Sequence, residues 1–339
     1  MTTFTNYSWI AAAIVTGILF TAGSLPAGKT YPELMRAENS ACQSGDFDRA
    51  IELCNAALAM KIGRVAASLA IMRRGNAYFM KKDFNRALRD HDEAIRLDPK
   101  NAAAYVNHGL DMDQRGEFEK EMKDYAQAIR IDSAHWRAYL QRAAVLRYKG
   151  RVDEAAKDIA QAIRFNPRSA DNFNERALIK IKQRQFDQAM NDCDTALRLN
   201  PKLITARITR VVLDSARRNE SRAREDLEAI AKLDPNQLGR ALNSIAWFQA
   251  TFPDSIGRDG AKAVAAATRA CELSRWKNWR YIDTLAAACA ENSAFDQALK
   301  YEKLALEVIP AHDVGRKEAE NRLELYRQHK AFREEVISF

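Results

Sequence analysis

The sequence predicts an all-α chain of stacked helical hairpins, and three observations carry that expectation. Small side chains recur every 34 residues, an Asp-Pro or Asn-Pro step punctuates the intervals, and turn-forming residues are scarce. Of 339 residues only 13 are Gly and 8 are Pro, while 47% are hydrophobic and 29% charged. Those figures exclude a collagen-like or mostly disordered chain and count against a turn-rich all-β one. The net charge of +8, from 53 basic and 45 acidic residues, is too mild to indicate nucleic acid. The five cysteines, Cys42, Cys54, Cys193, Cys271 and Cys289, are too scattered and odd in number for a disulfide framework or a spaced zinc site. No cofactor and no metal is expected.

The first element is residues 1–30. Residues 1–28 carry no charged side chain, and Trp9 to Leu25 is an apolar or small run of 17 residues, at the lower edge of what spans a bilayer. Small residues Thr21 to Ser24 and Ala27 follow its dense part. The segment therefore reads as an export signal or an N-terminal membrane anchor, although no Lys or Arg precedes it. The remainder is then expected to be exported, either periplasmic or membrane-anchored on the non-cytoplasmic side.

Gly23 to Thr30, GSLPAGKT, matches a phosphate-binding loop letter for letter. Such a loop needs a strand before it, a helix after it and a parallel sheet around it. Pro32 is expected to interrupt that helix, and no strand–helix alternation follows. Val211 to Asp214, which imitates the acidic strand end of nucleotide enzymes, falls inside a repeat helix. The match reads as chance, and a nucleotide-binding protein or lumenal enzyme is the lesser alternative.

The repeats come next. Ala87, Glu121, Ala155, Ala189 and Ala223 are spaced by 34, and seven residues after each come Ala94, Ala128, Ala162, Ala196 and Ile230. Residues seven apart share a helix face, so the pairs mark a flat stripe that another helix can approach. Gly75, Gly109, Ala143 and Ala177 supply the small residue on the opposing helix. Phe84, Phe118, Val152 and Phe186 fill the open end of the pair. Asp98-Pro99, Asn166-Pro167, Asn200-Pro201 and Asp234-Pro235, with Asp132-Ser133 in the same place, end one hairpin and start the next.

The phrases Gly75-Asn-Ala-Tyr78, Asp83-Phe84-Asn-Arg-Ala87 and Ala94-Ile-Arg-Leu-Asp-Pro99 resemble the tetratricopeptide repeat family. The resemblance covers about residues 31–312 in eight repeats starting near 31, 68, 102, 136, 170, 204, 238 and 279. Repeat one is followed by about three extra residues. Repeat six is degenerate, with Glu220 for the aromatic and Val211 for the small residue, and repeat seven has a longer connection from Thr251 to Arg258. The stretch from Ile245 through Ala288 is similar to the end of many bacterial arrays of this family. Residues 313–339 read as a C-terminal capping helix, with Val314, Leu323, Tyr326 and Phe332 covering repeat eight and Arg316, Lys317, Glu318 and Glu320 facing out.

The resemblance implies a right-handed α-solenoid superhelix whose concave groove, lined by the first helix of each repeat, binds an extended peptide or a partner helix. The expected lining is Arg73, Asn76, Phe79, Asn107, Arg137, Leu140, Gln141 and Arg147, then Asn174, Leu178, Ile181, Lys182, Ile208 and Val212. Asn107 and Arg137 fit places of the carboxylate clamp of family members that hold chaperone tails. Met72 and Gln141 replace two of its basic residues, which disfavours such tails and leaves a looser acidic or C-terminal segment as partner. Leu140, Leu178, Ile181, Ile208 and Val212 form an apolar strip, either open for binding or packed against neighbouring repeats.

Catalytic constellations are missing from the sequence: it has no His-Glu-x-x-His and no Gly-x-Ser-x-Gly. Ser274 and Lys277 have serine–lysine spacing without its companion motifs. His91 and His108 fall on adjacent helices and read as packing, and most cysteines are expected to be buried. The expectation is a non-enzymatic protein-interaction scaffold. Nucleic-acid binding through repeat four, which holds five basic residues between Trp136 and Val152 and no acid, is a further alternative.

Overall fold

The computed structural model describes residues 30–217, 219–253, 258–311, 313 and 315–333. The leader expected over residues 1–28 and the phosphate-loop match up to Lys29 lie outside the described residues, as does Val314. The chain divides into two compact units, one ending at Pro167 and one starting at Arg168. Among the described residues all regular structure is helical, as the composition and the period require.

The N-terminal unit holds four hairpins: α1 (Tyr31–Ser44) with α2 (Phe47–Leu58), α3 (Arg64–Met80) with α4 (Phe84–Leu97), α5 (Ala102–Gln114) with α6 (Phe118–Ile131), and α7 (Trp136–Tyr148) with α8 (Val152–Phe165). Each second helix also packs on the first helix of the next hairpin. The C-terminal unit continues with α9 (Ala170–Lys182) and α10 (Phe186–Leu199), α11 (Ile204–Ala216) and α12 (Glu220–Leu233), and a 3-10 turn (Pro235–Gln237). It then has α13 (Leu238–Thr251) with α14 (Gly260–Leu273), α15 (Trp279–Glu291) with α16 (Phe295–Val308), and α17 (Arg316–Arg327).

The small residues do the work that their spacing implies. Ala87, Ala94, Ala155, Ala162, Ala189 and Ala196 are all 0% exposed. Opposite them, residue sizes compensate. A methyl group on Gly75 would lie 2.7 Å from His91 Nε2, and one on Gly109 would lie 2.7 Å from the Tyr125 ring. His91 and Tyr125 occupy the same repeat position, where the later repeats carry Ile159 and Cys193 opposite Ala143 and Ala177. The larger second-helix side chains thus coincide with glycine on the first helix.

Between hairpins, Asp98, Asp132, Asn200 and Asp234 each accept a backbone N–H two residues on, at 3.0 Å. These Asx turns stop the second helix and aim the chain into the next first helix. Asn101 adds a cross-repeat tie: its Nδ2 donates to Ser68 Oγ at 3.1 Å, and Ser68 Oγ donates to the Ala94 carbonyl at 2.7 Å.

Three expectations need correction. Helix α1 begins at Tyr31 with Pro32 inside its first turn, so Pro32 does not interrupt a helix there. A first-turn N–H has no intrahelical partner to lose. The extra residues after repeat one lengthen the next helix as well as the turn: α3 has 17 residues where α5 and α7 have 13. The capping segment is helical only over α17, whose Leu323 and Tyr326 are buried. Phe332 follows the helix and lies 5.9 Å from the Trp247 ring, while Arg316 turns inward and donates to the Leu306 carbonyl at 3.0 Å. The helix is locked by Arg322, 94% of whose surface is covered, which donates from Nε to Asp283 at 2.7 Å.

Candidate functional site

The first helices, α3, α5 and α7 in the N-terminal unit and α9, α11, α13 and α15 in the C-terminal one, carry most of the buried polar side chains: Asn107, Gln141, Arg147, Asn174, Thr209, Gln249 and Thr284 among them. A helix face that is both buried and polar is costly unless its groups are paired, so each group has to be accounted for.

Most are engaged. Arg73 donates to Glu38 at 2.5 Å and to the Met35 carbonyl at 3.3 Å, tying repeat two to repeat one. Asn76 Oδ1 lies 3.0 Å from His91 Nε2, and His91 Nδ1 lies 2.5 Å from Asp111 Oδ2. This bridge joins repeats two and three. Thr209 donates to Asn174 Oδ1 at 3.0 Å. Arg137 stacks 5.0 Å from the centre of the Trp136 ring and is half-buried, as is Lys182, while Arg147 is buried.

Asn107 and Gln141 differ. They hold the same position in consecutive repeats, are 7% and 3% exposed, and their amides make no hydrogen bond among the described residues. Each amide presents a donor and an acceptor, which is what an extended backbone requires.

The apolar members of the expected lining are packed rather than open. Leu178, Ile181, Ile208 and Val212 belong to one buried cluster with Val211, Phe248 and Phe252. Leu140 is 6% exposed and Phe79 is 8% exposed. Phe79 packs edge-on to Phe84 at 5.2 Å. The strip is therefore core in this structure, because first helices of successive repeats touch one another as well as their own partners. His91 and His108 do not form a pair; each ring binds its own carboxylates.

A second constellation, which the sequence reading missed, runs inside the hairpins. Arg74, Arg142, Arg176 and Arg210 each make two hydrogen bonds to the aspartate 16 residues on, Asp90, Asp158, Asp192 and Asp226, at 2.6–2.9 Å. In repeat three the arginine is replaced by His108, whose Nδ1 lies 2.6 Å from Asp124 Oδ2 and whose Nε2 lies 3.2 Å from Asp92 of the preceding repeat. The signal was present: the basic residues at 74, 108, 142, 176 and 210 and the aspartates at 90, 124, 158, 192 and 226 keep the 34-residue period. Each clamp staples the first helix of a hairpin to the second.

Repeat three is electrostatically unlike its neighbours. Burial lowers the affinity of His108 for its proton, but Asp124 and Asp92 outweigh it, so its pKa stands above the ordinary value. Glu121 occupies the small-residue position and is 3% exposed. Burial, with Asp113 nearby, pushes its carboxyl up to about 8, and Tyr125 donates to it at 3.2 Å.

Nothing catalytic is assembled. Among the described residues no cluster of three or more His, Cys, Asp or Glu is placed to hold a metal ion. Thr30, the last residue of the phosphate-loop match, donates from its N–H and hydroxyl to Glu33 at 2.7 and 2.8 Å, opening α1. Ser274 donates to the Cys271 carbonyl at 2.9 Å and ends α14. Among the described residues no helix is long and apolar enough to cross a membrane.

Comparison with known proteins agrees with this architecture. The tetratricopeptide repeat family pattern matches residues 68–101 and 170–203. The fold is similar to the crystal structure of a tetratricopeptide repeat protein from Parabacteroides merdae, with a TM-score of 0.56 and 17% identity over 77% of this chain and 98% of that one. It is also similar to yeast Tom70, with a TM-score of 0.53 and 16% identity over 95% of this chain and 69% of that one. No curated protein matches the sequence.

Proposed function

The chain belongs to the tetratricopeptide repeat family, and from that premise we propose that it is a non-enzymatic interaction scaffold, exported or held at a membrane by its N-terminal segment. It binds an extended peptide or a partner helix along the first helices of its repeats. The observation that carries the binding face is the pair Asn107 and Gln141, two largely covered amides one repeat apart with no hydrogen-bond partner among the described residues. An unsatisfied buried amide costs about 1–3 kcal/mol, a cost that a bound backbone removes. Asn76, Arg73 and Lys182 flank this face in their own units, and Arg137 and Arg147 add positive charge to it, which favours an acidic or carboxylate-ended segment. Leu140, Leu178 and Ile181 support the face from within rather than contact the ligand.

The uncharged leader supports the export or anchor reading. Nothing in the described residues adds support to nucleotide binding or to a nucleic-acid surface in repeat four, where Arg142 and Arg151 are already paired with Asp158 and Glu154.

The test is a photo-crosslinking residue at position 141 in cells, compared with the Asn107→Ala, Gln141→Ala double variant. Removing unpaired amides leaves the melting temperature unchanged or raised, while capture of the crosslinked partner falls at least tenfold. Retention of the same partner at wild-type yield by the folded double variant would remove this face from the binding site.

A further inference from the structure

The start of α3 is a surface that the scaffold reading leaves unused. The helix extends four residues N-terminal to the start of its repeat at Ser68, and this extra turn projects from the hairpin. A methyl group placed on Gly63, its N-cap, would meet no atom within 4 Å. Around it Met60, Val65 and Leu69 are 36%, 60% and 39% exposed. Val65 and Leu69 are four residues apart and share one face of the helix.

The charge around these residues is one-sided. The thirty residues from Leu53 to Lys82 contain six basic residues and no acidic one. Arg73, Arg74 and Lys81 are neutralised by Glu38, Asp90 and Asp48. Lys61 and Arg64 are exposed and have no ion-pair or hydrogen-bond partner among the described residues. Helix α3 opens with no side-chain cap and no acid in its first turn, so Arg64 adds its charge to the positive end of the helix dipole. That arrangement is locally unfavourable and is relieved by a negative surface.

The position in the chain says which surface. Tyr31, at the start of α1, donates its hydroxyl to the Ala66 carbonyl at 3.1 Å, so the chain enters the first repeat against this same turn. Immediately before it in sequence lie the 28 uncharged residues read above as an export signal or anchor. Aliphatic side chains flanked by Lys and Arg, next to the point where an apolar segment joins, have the chemistry of a membrane-surface contact.

We propose that Met60, Val65 and Leu69, with Lys61 and Arg64, form a lipid-contact patch that seats the first two repeats on an anionic phospholipid surface beside the N-terminal segment. The proposal rests on the anchored reading of the leader and adds the orientation of the array at the membrane. The aliphatic side chains enter the headgroup boundary and the two cations pair with lipid phosphates. A docked acidic protein segment is the competing occupant.

The experiment uses the full chain with Cys42→Ala and an environment-sensitive dye on Val65→Cys, since the other four cysteines are buried. Vesicles of phosphatidylcholine with and without phosphatidylglycerol are the probe, and co-sedimentation is read in parallel. The expected result is a blue shift at position 65 with the anionic vesicles and little with the neutral ones. Lys61→Glu with Arg64→Glu should raise the lipid needed at least tenfold, since each cation contributes about fivefold. A chain that pellets with vesicles yet shows no shift overturns the patch and leaves the anchor reading standing. A chain that does not pellet overturns the anchor reading itself. A shift produced only by added soluble protein assigns the patch to a protein partner, and an equal shift from a dye at Glu119 shows unspecific spreading; either overturns the proposal.

Discussion

Gly109 and Tyr125 fit each other so closely that one methyl group added to the glycine would stand 2.7 Å from the ring. Tyr125 is fully buried, so it cannot swing aside. Gly109→Ala is expected to destabilise the N-terminal unit by about 1–3 kcal/mol through overpacking. Tyr125→Ile, which recreates the Ala143 and Ile159 combination of the next repeat, should recover part of that loss. Denaturant melts of the two single variants and the double variant check this. Additive losses would mean that the two positions do not compensate.

The hairpin clamps give a second expectation. Arg142→Ala leaves the Asp158 carboxylate 7% exposed and without its two guanidinium bonds. The cost is about 2–3 kcal/mol, most of it from the stranded charge. Replacing both partners, Arg142→Met with Asp158→Leu, should cost clearly less than the single change. A double-mutant cycle by thermal or denaturant unfolding measures the coupling.

Repeat three should respond to pH where the other clamped repeats do not. Glu121 has a folded pKa of about 8, far above an unfolded carboxyl, so the folded form keeps a proton that the unfolded form has lost. Its contribution is fully present below the unfolded value and is lost as pH rises towards 8. His108, whose folded pKa is raised by Asp124 and Asp92, likewise contributes below its unfolded value and loses that contribution as pH rises through the folded one. Both act in the same direction. Stability of α5 and α6 should fall from mildly acidic pH to above pH 8. Amide exchange in these helices should show the fall, and Glu121→Gln with His108→Arg should flatten it. A flat profile in the wild-type chain would remove both groups from the account.

Thiol chemistry offers a fourth. Burial pushes Cys54 and Cys271 up to about 12 and Cys289 to about 11, and it raises Cys193 as well. Cys42 is only half-buried, although burial and its hydrogen bond to Glu38 at 3.1 Å also raise it. Native protein at pH 8 should therefore label slowly at Cys42 and not at the other four, whereas denatured protein should label at all five. Fast labelling of Cys193 or Cys271 in the native state would contradict the packing around them.

Much of this architecture is legible in the letters. The first helices α5, α7, α9, α11, α13 and α15 start at Ala102, Trp136, Ala170, Ile204, Leu238 and Trp279, where the small-residue period places the starts of repeats. Close helix approach is a hard steric demand, and the sequence records it plainly. The start of α3 was hidden because Gly63 opens that helix without a side-chain cap. The clamps were hidden for another reason. An arginine and an aspartate 16 residues apart look like two solvated charges until the hairpin folds the interval back on itself. The apolar strip was ambiguous because a repeat-position rule cannot separate a side chain facing a ligand from one facing the next repeat. Ile181 and Val212 proved to face the core.

The clamps also bear on how such a chain changes length. Each Arg–Asp pair closes within its own 34-residue stretch, so duplicating or deleting one such stretch leaves every other pair whole. The repeat thus carries its fastening with it, and growth or loss of the array by whole modules requires no new charge partner to evolve.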